Sequence, residues 1–193
     1  MDVDVNTLFE TLYRSSLSGD ADGDGMLAYN YLAGEHVVNL EAARPMYLRG
    51  PNSKYTMPKF MRTHLFAALG ALRIGLDILF EEEGIGLDSM FAHGGLFKTE
   101  GVMQRYLAAA ANVPVSVGDV AGEGGSWGMA LLAAFMKYRD SDLSDWLEAN
   151  VFSDAKVETM APDPADVAVF EKFMKLYREG LAIEKAATES LQL

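Results

Sequence analysis

Apolar positions along the chain fall into a few helical stretches and a few short alternating ones. Val5, Leu8, Phe9, Leu12 and Tyr13 recur at the spacing of one helix face, which predicts a short amphipathic helix over 5–16, capped by Asn6 or Thr7. The clearest pattern runs over 58–83, where Phe60, His64, Leu65, Ala68, Leu72, Leu76 and Leu79 line one side and Pro58 suits the first helical position. Gly84 then suits the C-terminal cap. A short strand over 87–92 leads into His93-Gly94-Gly95, and a helix follows from Thr99 or Glu100 to Asn112 with Val102, Tyr106, Leu107 and Ala110 inward. Val113-Pro114-Val115-Ser116-Val117 alternates as a second strand. Further helices are expected over 122–138 and 143–149, and a terminal one to about Ser190 with Asp163 as N-cap and Pro164 at N1. Residues 26–32 form either a strand or an irregular packed segment, and 34–55 carries no regular period.

Strands alternating with helices argue for an α/β layer architecture. Two or three short strands are too few for this many helices. Either 26–49 supplies more, or the sheet is completed by residues outside this chain.

Composition narrows the function classes. Half of the 193 residues are hydrophobic and mean hydropathy is near zero, as in a globular domain with a real core. The net charge of −12 repels phosphodiester backbones, which argues against a nucleic-acid binder. Apolar runs such as Leu131 to Phe135 are too short for a bilayer, and Met1-Asp2-Val3-Asp4 is acidic where a signal peptide needs positive charge. With no cysteine there is neither a disulfide frame nor thiolate chemistry. A cytoplasmic protein without membrane or nucleic-acid partners is expected. In so acidic a chain, a bound phosphate would rely on main-chain N–H groups at a helix start and on a nearby lysine.

Two glycine-rich segments suit that task. In Phe91-Ala92-His93-Gly94-Gly95-Leu96-Phe97-Lys98-Thr99 an apolar strand gives way to a glycine pair and then a helix, so a nucleotide could approach main chain that carries no Cβ. The same pair also serves as ordinary strand-to-helix punctuation. In Gly122-Glu123-Gly124-Gly125-Ser126-Trp127-Gly128 the glycines weaken a helix unless close packing or a ligand compensates. Packing is the expected reading for the later glycines; for Gly122 to Gly125 both stay open.

Asp20-x-Asp22-x-Asp24-Gly25 copies the first half of a calcium loop, but Tyr31 stands where the closing acid belongs. His36, His64 and His93 share no metal-ligand spacing. Trp127 and Trp146 are expected in core or interface positions.

Taken together, four blocks resemble the C-terminal domain of the FGGY carbohydrate kinases. Tyr31-Leu32-Ala33-Gly34-Glu35 is similar to the family's Pro-Tyr-Leu-x-Gly-Glu-Arg block. The helix through His64-Leu65-Phe66-Ala67-Ala68-Leu69-Gly70 is similar to its Arg-Ala-x-x-Glu-Gly helix. Gly94-Gly95 with Lys98 and Gln104 resembles the turn and following helix that contact ATP, and 123–130 resembles the Glu-Gly-Ala-Ala-x-Gly-Ala-Ala helix start. The blocks keep the family's order. Three positions depart from it: His36 for arginine, Leu69 for glutamate and His93 for glycine.

The resemblance implies an actin-like ATPase (ribonuclease H-like) C-terminal domain across 1–193, helix-rich with an incomplete sheet, 163–193 being its terminal helix. It implies a parent kinase that moves a phosphoryl group from ATP, with Mg²⁺, to a ketose such as xylulose or ribulose, or to a polyol. The sugar-binding domain and the catalytic aspartate would lie in an N-terminal part absent here, leaving the chain alone inactive and prone to form a homo-oligomer. Expected nucleotide contacts are Gly94, Gly95, Lys98, Thr99, Gly122, Gly124 and Gly125. The competing reading is a non-catalytic acidic interaction module.

Overall fold

The computed structural model describes residues 4–18, 23–118, 124–138, 141–153 and 156–191. Helix α1, Val5–Ser15, starts one residue earlier than its polar residues suggest. Asp4 is the cap, and its carboxylate accepts from the N–H and the hydroxyl of Thr7 at 2.9 Å each. Helix α2, Met57–Asp77, carries Pro58 in its first turn as expected and continues as a π turn over Ile78–Glu82. Gly84, at φ +65°, then turns the chain away. Helix α6, Pro164–Ser190, opens on Asp163, whose side chain accepts the Ala165 N–H at 2.8 Å.

The segment 26–49 does supply strands, but they stand apart from the main sheet. β1, Leu27–Tyr29, pairs antiparallel with β2, Met46–Leu48, as a separate two-stranded ribbon. The main sheet has the order β3-β4-β5. β3, Met90–Ala92, and β4, Val115–Gly118, are parallel and joined through helix α3, Val102–Ala111. The third strand is one that sequence patterning did not assign: β5, Val157–Met160, runs antiparallel along β4. β3 has no strand on its outer side among the described residues, so the sheet is as incomplete as expected.

Helices α2, α3 and α6 interlock into the core. Phe66 of α2 meets Tyr106 of α3 and Phe170 and Phe173 of α6 edge-on, at ring separations of 5.0, 5.1 and 5.4 Å. Arg73 of α2 joins the three helices, bonding Asp77 on its own helix, the Ala110 carbonyl of α3 and Glu171 of α6. Burial on several sides corrects the single inward face predicted for α2. Leu65, Leu76 and also Phe66, Leu69 and Gly70 are buried, whereas Ala68, Leu72 and Leu79 are exposed. By length and composition Met57–Glu82 is apolar enough to cross a membrane, yet Leu65, Phe66, Ala67 and Leu69 on it are buried in this core.

Outside the core lie α4, Gly124–Phe135, and α5, Leu143–Leu147. α4 is apolar and has no buried residue; Met129, Leu132 and, just past its end, Met136 are exposed. Trp127 sits edge-on to Phe152, and Trp146 lies against Phe135 and Tyr138.

Candidate functional site at the carboxyl end of β3 and β4

β3 and β4 run in parallel, so both end on the same side of the sheet, where open α/β sheets bind their ligands. His93-Gly94-Gly95 leaves β3 there, and Gly118 ends β4 with its Cα side against the Phe91 ring. Gly94 adopts φ +120°, a conformation that side chains rarely allow. Gly95–Phe97 then forms one 3₁₀ turn, closed by the Phe97 N–H on the Gly94 carbonyl at 3.0 Å and the Lys98 N–H on the Gly95 carbonyl at 3.2 Å. A Cβ added at Gly94 or Gly95 would meet nothing within 4 Å. Among the described residues nothing covers the main chain of the turn.

The start of α4 lies beside this turn. A Cβ on Gly124 would come within 2.8 Å of the His93 ring, so Gly124 is needed for close approach to His93. His93 in turn stacks at 5.0 Å on Phe91. Gly125 and Gly128 have open space beside them. For Gly128 this goes against the packing expected, because among the described residues none lies within 4 Å of where its Cβ would be. Gly122 lies outside the described residues, as do Asp20 and Asp22 of the calcium-like loop.

Lys98 and Thr99 do not sit where a helix starting at 99 would put them. α3 begins at Val102, because Gly101 takes a left-handed φ of +75° and no side chain caps it. Lys98 is exposed at the end of the 3₁₀ turn, while Thr99 is buried. The start of α3 therefore opens onto a cleft of about 410 Å³ lined by Phe97, Thr99, Gly101, Gly118, Lys156 and Glu158, among others. Gly94, Gly95, Gly124 and Gly125 are not part of its lining. The structure thus brings the glycine turn and the α4 start together through His93, and sets Thr99 in the adjoining cleft.

Gln104 also lines the cleft and ties the sheet to α3. Its buried amide donates to the carbonyls of Val115 at 2.9 Å and Glu158 at 3.0 Å, clipping β4 and β5 to α3. Lys156 and Glu158 are cleft residues that sequence reasoning missed, because β5 was not assigned. The alternation of Val157 and Thr159 was its only signal.

The family-like block around Gly34 is built for shape. A Cβ on Gly34 would overlap the Glu41 carbonyl, and Glu35 accepts the Val37 N–H at 3.1 Å to cap a short turn. His36 is exposed, and Leu69, in place of glutamate, is buried in the core. His64 pairs with Asn30 at 2.9 Å, and burial holds its imidazole below the usual range. Asp24 binds the buried ammonium of Lys59, whose hydrogen bond lowers the aspartate from its usual range. A calcium ion would have to displace that lysine. Among the described residues no three His, Asp or Glu side chains are grouped to hold a metal.

Residues 4–136 match the model of the FGGY family of carbohydrate kinases, C-terminal domain. No curated protein matches the chain. Among solved structures, xylulose kinase from Lactobacillus acidophilus is 21% identical over 93% of this chain, with a TM-score of 0.68. Gluconate kinase from the same organism is 20% identical over 97%, with a TM-score of 0.71. Plasmodium falciparum glycerol kinase is 18% identical over 99%, with a TM-score of 0.61. The chain covers 34%, 36% and 35% of those proteins, so it spans about a third of their length. The fold is the actin-like ATPase fold, and the structural matches extend past residue 136 to include α6. The chain belongs to the FGGY family of carbohydrate kinases, and what it represents is the family's C-terminal domain.

Proposed function

We propose that this chain is the nucleotide-binding part of an ATP-dependent kinase that phosphorylates a ketose, such as xylulose or ribulose, or a polyol. Gly94, Gly95, Lys98 and Thr99 contact the nucleotide from one side, and the α4 start with Gly122, Gly124 and Gly125 forms the other wall. The observation that carries this reading is the bare main chain at Gly94 and Gly95 beside the α4 start, at the carboxyl end of two parallel strands. The Plasmodium falciparum glycerol kinase, similar over nearly all of this chain, was solved with ADP, which supports a nucleotide over other anions.

Transfer of the γ-phosphoryl group relies on positioning and on charge stabilisation. In this chain the bare amides would orient the nucleotide, and Lys98 would add a point charge beside them. Mg²⁺, when bound, would neutralise phosphate charge. The sugar and the catalytic aspartate belong to a further domain, the counterpart of the two thirds of each solved kinase that this chain does not cover. Exposed apolar residues on α1 (Val5, Leu8, Phe9), on β3 (Phe91) and on α4 (Met129, Leu132) support such a covering domain. Without it the chain binds ATP weakly and transfers no phosphate.

Hydrogen exchange with and without ATP tests the reading. Protection should appear at 93–99 and at the start of α4. No protection there at saturating ATP, with a protein partner protecting the same segment instead, would favour an acidic interaction module. Sugar phosphorylation by this chain alone would overturn its assignment as an inactive part.

A further inference from the structure

Glu184 lies in α6 with no exposed surface. Its Oε1 accepts the main-chain N–H of Arg44 at 2.6 Å, while Oε2 is buried and meets no donor among the described residues. The charged and titratable groups facing it are Arg44, which precedes β2, Tyr29 of β1, Tyr31 just beyond β1, and Tyr177 one face along α6. None of them is seen to supply the missing partner. The Arg44 guanidinium donates to the Leu191 carbonyl at 3.0 and 2.8 Å and to the Ala43 carbonyl at 2.8 Å. The Tyr29 hydroxyl donates to the Tyr177 carbonyl at 2.8 Å, and the Tyr177 hydroxyl donates to that of Tyr31 at 2.6 Å.

A carboxylate removed from water, holding one hydrogen bond and no touching cation, is strongly disfavoured, and such groups take up a proton instead. We propose that Glu184 is a neutral carboxylic acid in the folded protein, so that the packing of α6 on the Ala43–Arg44 segment is linked to a bound proton and loses stability when that proton is lost. Burial pushes this carboxyl up from its ordinary range, and the Arg44 N–H and charge offset only part of that effect. The sign follows from linkage. A group whose folded-state value is raised stabilises the fold fully below its unfolded value, and that contribution is lost as pH rises through the folded value. The inference concerns the 31–44 block and α6, and it stands whether or not the chain binds ATP.

The test is a carbon NMR titration of the Glu184 carboxyl in the wild-type chain, from about pH 4 to about pH 8, with the Arg44 amide proton followed in the same samples. The expected result is a midpoint above that of an exposed glutamate, with the Arg44 amide shifting at the same midpoint. Thermal melts add a second reading: Glu184→Gln, which mimics the neutral acid, should melt no lower than wild type near neutral pH and lose part of the wild-type decline with rising pH. A Glu184 carboxyl already ionised in the ordinary glutamate range, with an ordered water on Oε2, would overturn the proposal. So would an Arg44 amide indifferent to the titration.

Discussion

Glycine occupies two kinds of place in this molecule, and the contrast separates what holds the fold from what serves a ligand. In the core, Gly70 of α2 lies against the ring of Tyr177, where a Cβ would come within 2.5 Å, and Gly180 of α6 lies so close to the Tyr29 hydroxyl that a Cβ would overlap it. Both aromatic rings are fully buried. At the carboxyl end of β3 and β4, Gly94, Gly95 and Gly125 border space that no described residue fills. Glycine costs helix and strand stability relative to alanine. In the core, interlocked helices offset that cost. At the sheet end no packing among the described residues does; Gly94 has its own need for glycine in its φ of +120°, and the proposed nucleotide would lie against the main chain of Gly95 and Gly125.

Substitution should break the two sets differently. Gly180→Ala and Gly70→Ala force a methyl group into buried tyrosines and should each lose about 2–3 kcal/mol in urea unfolding. Gln104→Ala removes both donors that tie β4 and β5 to α3 and should lose about 2 kcal/mol by the same measurement. A smaller effect is expected from Tyr177→Phe, which deletes the hydrogen bond to Tyr31 but keeps the ring packing, about 1 kcal/mol. Gly125→Ala should change stability least. It adds helix propensity worth up to about 1 kcal/mol in open space, so a slight gain in stability together with weaker ATP protection is the expected outcome. If Gly125→Ala destabilised as much as Gly70→Ala, the contrast between the two sets would fail.

What could be read ahead of the structure followed local chemistry. Pro58, Gly84, Asp163 and Pro164 marked the ends of α2 and α6, because caps and proline act through their immediate neighbours. The glycine pair at the end of β3 was legible for the same reason. What depended on tertiary placement was not. The buried sides of α2 are set by α3 and α6, so a one-sided stripe assigned Leu72 and Leu79 inward when they are exposed. The start of α3 shifted to Val102 because Gly101 turns left-handed, a choice that composition does not reveal. β5 is four residues long and exposed on most of its length, too short for its alternation to stand out, and with it went Lys156 and Glu158 of the cleft. Gln104 belongs to a family-like block in sequence, and only its two carbonyl partners show that it serves the sheet.

The measurement that bears most directly on the account is the ATP affinity of Gly95→Ala against wild type by titration calorimetry, with melting temperatures recorded on the same samples. Gly95 has ordinary backbone geometry and open space beside it, so the variant should melt as wild type does. Loss of ATP affinity by roughly tenfold, about 1.4 kcal/mol, with an unchanged melting temperature, is what a nucleotide lying on that main chain predicts. Undiminished ATP binding in the folded variant would contradict it.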